Sequence, residues 1–550
     1  MNGSFKLRAL SSLAKVFADE YPPYREIQTL SGFQNEPLSF QIAYCHETEG
    51  DYYRDVGVEV ISELSVSVYT VALIPSNMPV YPAHDGFVLR DKAGLFPDLL
   101  RPYAGPLPVP PKQWRSVWFE LDEQKPAGEY PVRLRFARSN GEALGEICVT
   151  VRILPADLPE SGLICTNWFH TDCLSTWYQA PVFSERYWEI VERYASAAAR
   201  HGVNMLLTPL FTPPLDTEVG GERPTVQLVD VVCEDGAYRF GFEKLERWIA
   251  MCDRVGIAYF ELAHFFTQWG AAHAPKIMAE ADGEYRQIFG WDTDSAGEAY
   301  TDFLRAFAAA FVRFAEEKGI RRRCILHVSD EPSMAHLDAY SARAELIRSL
   351  FPGFQIIDAL SNAEFYDSGA VTCPVPADDH IEPFLERGIE GLWTYYCCGQ
   401  YRYHVPNRFF CMPSMRNRVL GFLLYKYCMK GFLQWGFNFW YSQLSRYAID
   451  PFTTTDADYA FPSGDAFVVY PGEDGAPLCS LRLKVFREAL NDLRALLLLE
   501  NRIGREAVLE LLEAEGEISF RNYPHSDEWL LCTRERINQR FLEAIAPEHI

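Results

Sequence analysis

A chain of 550 residues is too long for one hydrophobic core, so two or three domains are expected. Its apolar fraction of 48% and aromatic fraction of 14% are typical of a packed globular protein and exclude general disorder. The formal net charge of −24 disfavours a nucleic acid or an anionic membrane as partner, because both bind basic surfaces.

The cysteine pattern and the charge spacing indicate where the protein works. Fourteen cysteines are scattered without a CxxC pair, which is typical of a reducing compartment. Charged residues interrupt both the amino terminus and the most apolar long stretch, residues 419–441. Neither a signal peptide nor a membrane-spanning helix is therefore predicted. We expect a cytoplasmic protein with no membrane partner, and a homo-oligomer is compatible with the sequence.

Residues 1–157 are predicted to form a β-sandwich domain. Short runs of alternating apolar and polar residues recur, for example at 38–44 and 147–153, and turn-forming residues separate them. Pro102–Pro111 contains five prolines and is predicted to be a stiff loop. Residues 154–159 are the predicted hinge to the next domain.

Strands and helices alternate from residue 158 to 455, which predicts a parallel sheet built from βα units. Eight candidate strands match a central (β/α)8 barrel of the TIM type. They are Leu163–Phe169, Asn204–Leu210, Ala258–Phe265, Cys324–Ser329, Gln355–Leu360, Val371–Val375, Gly391–Tyr396 and Phe432–Phe439. A doubly wound open sheet is the alternative, and the missing glycine-rich phosphate loop disfavours its commonest form. Residues 456–550 are predicted to form a small, largely helical C-terminal region, which makes the chain a multidomain α/β protein.

The segment from Cys324 to Pro332 carries the clearest chemical signal. An apolar strand ends there on two adjacent acids, Asp330 and Glu331, and Pro332 cannot continue a strand ladder. Barrel enzymes place their chemistry at the carboxyl ends of the strands. The pair is therefore predicted to be catalytic; the structural alternative is that Asp330 caps the following helix.

Other predicted strand ends bring aromatic, amide and carboxylate side chains to the same mouth. Such a mixture suits a sugar, whose C–H faces stack on rings while its hydroxyls need paired donors and acceptors. The predicted substrate-binding residues are Asn167, His170, His264, Asp358, Trp393, Tyr395, Trp435, Asn438 and Trp440. Each aromatic residue, like His264, has a core role as its alternative, and Arg416 and Arg418 are predicted to form structural ion pairs. No zinc, phosphate-loop or serine-elbow motif occurs, so neither a metal nor another cofactor is predicted.

These residues carry a family resemblance. A β-sandwich followed by a barrel with the run from Ser329 to Pro332 at its fourth strand resembles glycoside hydrolase family 123 and its uncharacterised-domain relatives. Similar pieces occur at Arg418–Gly421, at Gly431–Gly436 with Trp440, at Tyr470–Gly472, at Ser480–Arg482 and at Arg487–Glu488. The resemblance runs from about Leu10 to Arg494. It implies exo removal of terminal β-linked N-acetylgalactosamine (GalNAc) with retention, the 2-acetamido group of the substrate acting as nucleophile.

The position of the two acids predicts the same mechanism. An ordinary retaining glycosidase needs two carboxyl groups about 5–5.5 Å apart across the sugar, and neighbouring acids on one strand end do not easily flank opposite faces. We expect Glu331 to be the general acid and later base, with a raised pKa, and Asp330 to stay ionised and accept the acetamide N–H. Tyr395 is the predicted donor to the acetamide oxygen, and Trp393, Trp435 and Trp440 are predicted ring platforms.

Two alternatives stay open at this point. One is another β-glycosidase specificity on the same barrel, such as N-acetylglucosamine (GlcNAc) or a sugar without the acetamido group. The residues Ala489–Arg494 replace the acidic-aromatic run usual for the family, which indicates a distant branch. The other alternative is a non-catalytic carbohydrate-binding protein in which the two acids are structural.

Overall fold

The computed structural model describes residues 5–49, 52–268 and 270–546. The outermost residues of the predicted terminal domains, 1–4 and 547–550, lie outside these ranges. The N-terminal region is rich in β-structure. Its strands are β1 (Phe5–Ser11), β2 (Thr29–Phe33), β3 (Leu38–His46), β4 (Tyr53–Ile61), β5 (Ser67–Ser76), β6 (Gly94–Pro102), β7 (Leu107–Val109), β8 (Arg115–Leu121), β9 (Gly128–Arg138) and β10 (Ala143–Leu154).

These strands form two five-stranded sheets, in the orders β1-β3-β8-β5-β6 and β2-β10-β9-β4-β7. In β9 the buried residues Val132, Leu134 and Phe136 alternate with exposed arginines, so this strand buries one face. Apolar side chains from both sheets, among them Phe40 and Phe136, share one core. The predicted β-rich N-terminal region is therefore present.

The central region alternates strands with helices. In chain order its elements are β11 (Ile164–Asn167), α1 (Thr171–Tyr178), α2 (Glu185–Arg200), β12 (Met205–Thr208), β13 (Asp230–Glu234), β14 (Ala237–Gly241), α3 (Glu243–Val255), β15 (Tyr259–Leu262), β16 (Ile277–Ala281), β17 (Glu284–Phe289), α4 (Glu298–Glu317), β18 (Cys324–Leu326), α5 (Leu337–Leu350), β19 (Gln355–Ile356), β20 (Asp358–Leu360), α6 (Glu364–Asp367), β21 (Pro374–Pro376), α7 (Glu382–Glu386), β22 (Trp393–Tyr395), α8 (Ser414–Arg418), α9 (Leu420–Lys426) and β23 (Gly431–Gln434).

A curled parallel sheet forms the centre of this region. Seven strands lie in the order β19-β18-β15-β12-β11-β23-β22, and each pairs in parallel with its neighbours. β20 and β21 form a separate two-stranded sheet, and a single bridge joins Ala377 to Tyr395 in β22. Each of the eight predicted strands overlaps an observed strand, but a complete (β/α)8 barrel is not confirmed, because the ladder breaks around β19 to β22.

Helices cover the outer face of the curled sheet through apolar stripes. In α4 the rings of Phe303, Phe307, Phe311 and Phe314 recur at helical spacing and are buried. An inserted four-stranded sheet, β14-β13-β16-β17, lies against the same helix, where Phe240 packs edge to face on Phe303 and Phe307. The helices therefore leave the carboxyl edge of the sheet to the loops.

The last part of the chain contains β24 (Val469–Pro471), β25 (Pro477–Cys479), α10 (Leu481–Ile503), α11 (Arg505–Leu512) and α12 (Asp527–Ile545). The Ser480 hydroxyl caps α10 by accepting a hydrogen bond from the Leu483 N–H at 3.1 Å. Most of α10 is buried, and it packs against α8, α9 and α12. In the described ranges no helix is both long enough and apolar enough to cross a membrane.

Candidate active site

The two acids follow β18 directly, at the carboxyl edge of the sheet. β18 ends at Leu326, three residues before the predicted end, and the backbone then turns. Glu331 has a left-handed conformation with φ of 43°, which costs a residue with a Cβ about 1–2 kcal/mol. Its N–H donates to the Ala359 carbonyl in β20 at 3.2 Å. This contact holds the turn against the neighbouring strand.

Glu331 is held by a tyrosine from β22. The hydroxyl of Tyr395, the last residue of that strand, donates to Glu331 Oε1 at 2.6 Å. The carboxyl group reaches solvent but sits in a dense shell of protein atoms. This enclosure raises the pKa of Glu331, as does the charge of Asp379, while the Tyr395 hydrogen bond opposes the shift. A raised pKa suits a general acid.

Asp330 is surrounded mainly by negative charge. Removal from water and the charge of Glu331 raise the pKa of Asp330 well above its usual range, and Asp358 and Asp216 add to the effect. The charge of His327 acts in the opposite direction. Among the described residues no side chain or N–H donates a hydrogen bond to the Asp330 carboxylate. Its oxygens are free for an outside donor.

A fully buried triad lies beneath the acids and is formed by Glu261, His327 and Asp358. His327 Nε2 is 2.6 Å from Glu261 Oε1, and its Nδ1 is 3.3 Å from Asp358 Oδ1. Burial alone would lower the pKa of His327, but the two carboxylates raise it to about 9. The ring is therefore an imidazolium at neutral pH.

Every oxygen of the two triad carboxylates is occupied. Glu261 accepts from the Trp168 indole at 2.8 Å and from the Thr166 hydroxyl. Asp358 accepts from the Val328 N–H at 3.0 Å and from the Tyr340 hydroxyl. The carboxylate of Asp358, a residue predicted to bind substrate, thus contacts the strand end that carries the acids.

His264 lies on top of the triad with no partner of its own. Its ring stacks on His327 with centroids 4.3 Å apart, and it meets the Trp168 ring edge to face at 5.4 Å. Both ring nitrogens are buried without a hydrogen bond in the described part of the chain. Burial, and then the charge of His327, lower the pKa of His264 well below its usual value. A neutral imidazole here can still donate or accept one hydrogen bond from a ligand.

His264, His327 and Asp358 have ligand atoms close enough together to suggest a metal site. The arrangement does not fit one. Stacked imidazole rings direct their lone pairs along parallel planes instead of toward a shared point, and both nitrogens of His327 already face carboxylates. The positive charge of His327 would also repel a cation. We therefore interpret the cluster as a proton-holding network.

Aromatic rings line the inner surface of the curled sheet. Trp168, Trp393, Tyr395 and Trp435 belong to one apolar cluster inside it. Trp435 is half-buried and donates its indole N–H to Asp465 at 2.9 Å. Trp393 is 1% exposed and packs so tightly on the backbone of Gly431 that a Cβ there would lie 2.0 Å from its ring. Of the predicted platforms, Trp435 therefore has the surface to receive a sugar, and Trp393 has almost none.

Three predicted substrate-binding residues are engaged with the protein instead. His170 accepts from Arg223 at Nδ1 and donates through Nε2 to the Trp435 carbonyl. The Asn438 amide bonds both the N–H and the carbonyl of His170. Trp440 is 2% exposed and packs against Tyr194, outside the inner cluster. These residues hold the β11 and β23 loops together.

Asn167 is the remaining predicted residue. It ends β11 beside Gln434 of β23 and is 2% exposed. Its side-chain oxygen is buried and accepts no hydrogen bond in the described ranges.

Sequence reasoning missed four residues around the acids. Glu261 and His327 are each a polar residue flanked by apolar residues within a predicted strand, and that pattern could have identified them. Asp216 and Asp465 lie on loops, where nothing in the sequence distinguishes them. Burial raises the pKa of Asp216 to about 6 and that of Asp465 to about 7.

The acids and aromatic rings lie at the carboxyl edge of a curled parallel sheet, where enzymes with parallel α/β folds build their active sites. The sequence profile of the glycoside hydrolase 123 catalytic domain matches residues 168–499. The chain belongs to glycoside hydrolase family 123, and it is a glycoside hydrolase. The predicted family resemblance is confirmed.

Solved structures agree at the level of the fold. A family 123 glycoside hydrolase from Clostridium perfringens, studied for glycolipid glycan hydrolysis, superposes with a TM-score of 0.74 at 15% identity, covering 98% of both chains. The Parabacteroides merdae β-glucuronidase, at 11% identity, covers 88% of this chain and 52% of its own, with a TM-score of only 0.31. Searching the curated proteins found no match.

Proposed function

We propose that this glycoside hydrolase removes terminal β-linked GalNAc with retention, by substrate-assisted hydrolysis. The observation that carries the proposal is the unequal state of the two neighbouring acids. Glu331 is held by Tyr395 and has a raised pKa. Burial and the charge of Glu331 also raise the pKa of Asp330, but its carboxyl group accepts no hydrogen bond from any described residue, so an N–H of the sugar would favour its ionised form. One acid is ready to give a proton, and the other is ready to accept an N–H.

Three other acids near the mouth accept hydrogen bonds from the protein, and Asp378, whose oxygens accept none in the described part of the chain, is 0% exposed. Asp216 accepts from the Leu444 N–H at 3.1 Å, Asp465 from the Trp435 indole, and Asp379 from the Gln400 amide at 3.0 Å. A nucleophile must present a free carboxylate to the anomeric carbon. This favours a nucleophile supplied by the substrate over one supplied by the enzyme.

The proposed reaction has two steps. Glu331 protonates the glycosidic oxygen while the acetamide carbonyl oxygen of the sugar attacks C1, so that the C1–O bond breaks and the alcohol leaves. Asp330 accepts the acetamide N–H and stabilises the resulting oxazolinium ring. Glu331 then takes a proton from water, whose oxygen attacks C1 and reopens the ring, giving the β-sugar with net retention.

The surrounding side chains support a bound sugar in this reaction. Trp435 offers a half-buried ring face inside the curled sheet. His264 is buried, and both of its ring nitrogens lack a hydrogen bond in the described part of the chain. Tyr395 is proposed to turn its hydroxyl from Glu331 to the acetamide oxygen when the sugar binds. Glycolipid glycans with terminal GalNAc are the first natural substrates to test, since the Clostridium perfringens relative was studied for glycolipid glycan hydrolysis.

Several finer predictions about the chain stay proposals. A complete (β/α)8 barrel is supported by eight strand positions and by the bridge between Ala377 and Tyr395. The domain limits at 157 and 455 stay as predicted. A cytoplasmic location is supported by fourteen unpaired cysteines, and a homo-oligomer remains compatible with the chain.

A panel of aryl β-glycosides tests the function directly. We expect Glu331→Gln to lose hydrolysis of substrates with poor leaving groups by about 10²–10⁴-fold, and of activated aryl glycosides far less, because only the former need an acid. Asp330→Asn should reduce hydrolysis of both, and a thiazoline mimic of the intermediate should inhibit the wild-type enzyme. Initial rates at matched protein concentration give each value.

The alternatives predict different results. Equal losses on both substrate types would remove Glu331 from the acid role, and a lack of inhibition by the thiazoline would contradict substrate assistance. Faster hydrolysis of the GlcNAc glycoside, or of a glycoside without the acetamido group, would show that the enzyme prefers that sugar to GalNAc. Binding of sugar without turnover would indicate a non-catalytic protein.

A further inference from the structure

The buried triad beneath the acids has an unusual charge balance. Glu261, His327 and Asp358 are each 0% exposed, and one imidazole faces two carboxylates. Its two nitrogens lie 2.6 Å and 3.3 Å from them. An imidazolium donates at both nitrogens and can satisfy both acids, whereas a neutral imidazole leaves one acid facing a lone pair. With both acids ionised, the geometry therefore favours the charged ring.

The triad is connected to the catalytic strand end by the backbone. Asp358 accepts from the Val328 N–H, and the carbonyl of the next residue, Ala359, accepts from the Glu331 N–H. β20 thus holds both ends of the segment 328–331. Any change in the charge or position of His327 is transmitted to Asp330 and Glu331 through these contacts.

The groups facing Asp330 differ in the sign of their charge. Glu331 on the same turn, Asp358 from β20 and Asp216 from the loop after β12 are acids, and His327 is the cation that opposes them. His264, stacked on His327 from the loop after β15, is kept uncharged by burial and by that cation. The two stacked rings therefore hold one positive charge, and that charge opposes the upward shift in the pKa of Asp330.

We propose that His327 is a positioning residue which stays an imidazolium through the whole reaction and favours the ionised form of Asp330 against the acids around it. This inference rests on the proposed role of Asp330 as the ionised partner of the acetamide group. It adds that His327, a residue that does not contact the sugar, influences the ionisation of Asp330. His264 is then the neutral member of the stacked pair.

Proton NMR of the wild-type protein without substrate tests the charged ring. We expect low-field imidazolium N–H resonances that persist to about pH 8, because the pKa of His327 is about 9, and that vanish in His327→Gln. Loss of these resonances near about pH 6.5, the ordinary range of histidine, would overturn the proposal. The measurement needs no turnover, so it fails or succeeds independently of the proposed function.

The pH profile of kcat tests the link to Asp330. In His327→Gln the acidic limb should move up by about 1–3 pH units, since an opposite charge lowers a neighbouring carboxyl pKa by that amount. We expect KM to change much less than kcat. The matched control is Thr166→Val, which removes an uncharged donor to Glu261 from the same layer and should leave the limb in place. An unmoved limb in folded His327→Gln would overturn the proposal.

Discussion

At the scale of single residues, the hydrogen bond from Tyr395 influences the pKa of Glu331. Its hydroxyl stabilises the ionised carboxylate, so Tyr395→Phe should raise the pKa of Glu331 further and move the basic limb of the pH–rate profile to higher pH. The rate on acetamido glycosides should also fall about tenfold or more. Tyr396→Phe is the control, because that hydroxyl bonds Asn417 instead. A basic limb that stays in place, or moves down, would contradict this role for Tyr395.

His170 links the protonation of a buried ring to stability. Burial and Arg223 lower its pKa to about 4 in the folded protein, from the ordinary 6.5. The unfolded chain therefore binds a proton that the folded chain does not, and stability is lost as pH falls from 6.5 toward 4. In His170→Gln the decrease in the free energy of unfolding between pH 6.5 and pH 4 should be smaller by about 3 kcal/mol. Urea unfolding at several pH values measures it, and identical pH slopes would argue against a neutral ring.

The acid pair could be predicted from sequence because it breaks an apolar strand next to a proline. The roles of Asp358, His170 and Asn438 could not, because a polar residue at a strand end looks the same whether it faces a ligand or a neighbouring loop. Only the hydrogen bonds of Asp358 to Val328 and Tyr340 reveal the difference. Whether Asp330 and Glu331 are catalytic stays a prediction until turnover is measured.

At the scale of elements, close contact between α9 and α10 depends on a glycine. A Cβ on Gly421 would lie 1.9 Å from the Ala489 carbonyl oxygen in α10. Gly421→Ala should therefore lower the free energy of unfolding by about 1–3 kcal/mol, because backbone must move. Gly94→Ala, where the nearest atom is 4.0 Å away, is the control. Thermal unfolding compares the two, and equal midpoints would show that the helices can separate freely.

Element positions followed from hydrophobic periodicity, but the closure of the sheet did not. All eight predicted strand segments overlap observed strands, because buried parallel strands are continuous apolar runs. The break around β19 to β22 occurs in strands of two or three residues. Hydrogen bonds between such short strands depend on the loops that hold them, and no local sequence pattern specifies that.

At the scale of the whole molecule, buried ion pairs join the N-terminal region to the rest. Four of these links pair an acid of the N-terminal region with an arginine from later in the chain. They are Glu36–Arg534, Asp85–Arg416, Asp98–Arg482 and Glu120–Arg487. Because these pairs tie together segments far apart in sequence, we expect the described regions to unfold as one unit and not domain by domain.

Removing one partner of such a link tests this view. Asp98 is 1% exposed and bonds Arg482 at 2.7 Å as well as the Tyr470 hydroxyl, so Asp98→Asn should cost about 3–5 kcal/mol. Asp367→Asn, at an exposed pair with Arg387, should change the stability far less, because solvent screens exposed ion pairs. Calorimetry should show one transition in both variants. A second transition appearing only in Asp98→Asn would mean that the regions are held together mainly by that pair.

The left-handed turn at Glu331 has a consequence for anyone who engineers this enzyme. Glycine adopts that backbone shape freely, so a design procedure that ranks substitutions by heat tolerance alone would favour replacing this acid. The resulting protein would survive warmer conditions and lack the proposed proton donor. Glutamate should therefore be kept at position 331 in any such optimisation, because thermal stability and the proposed proton transfer favour different residues there.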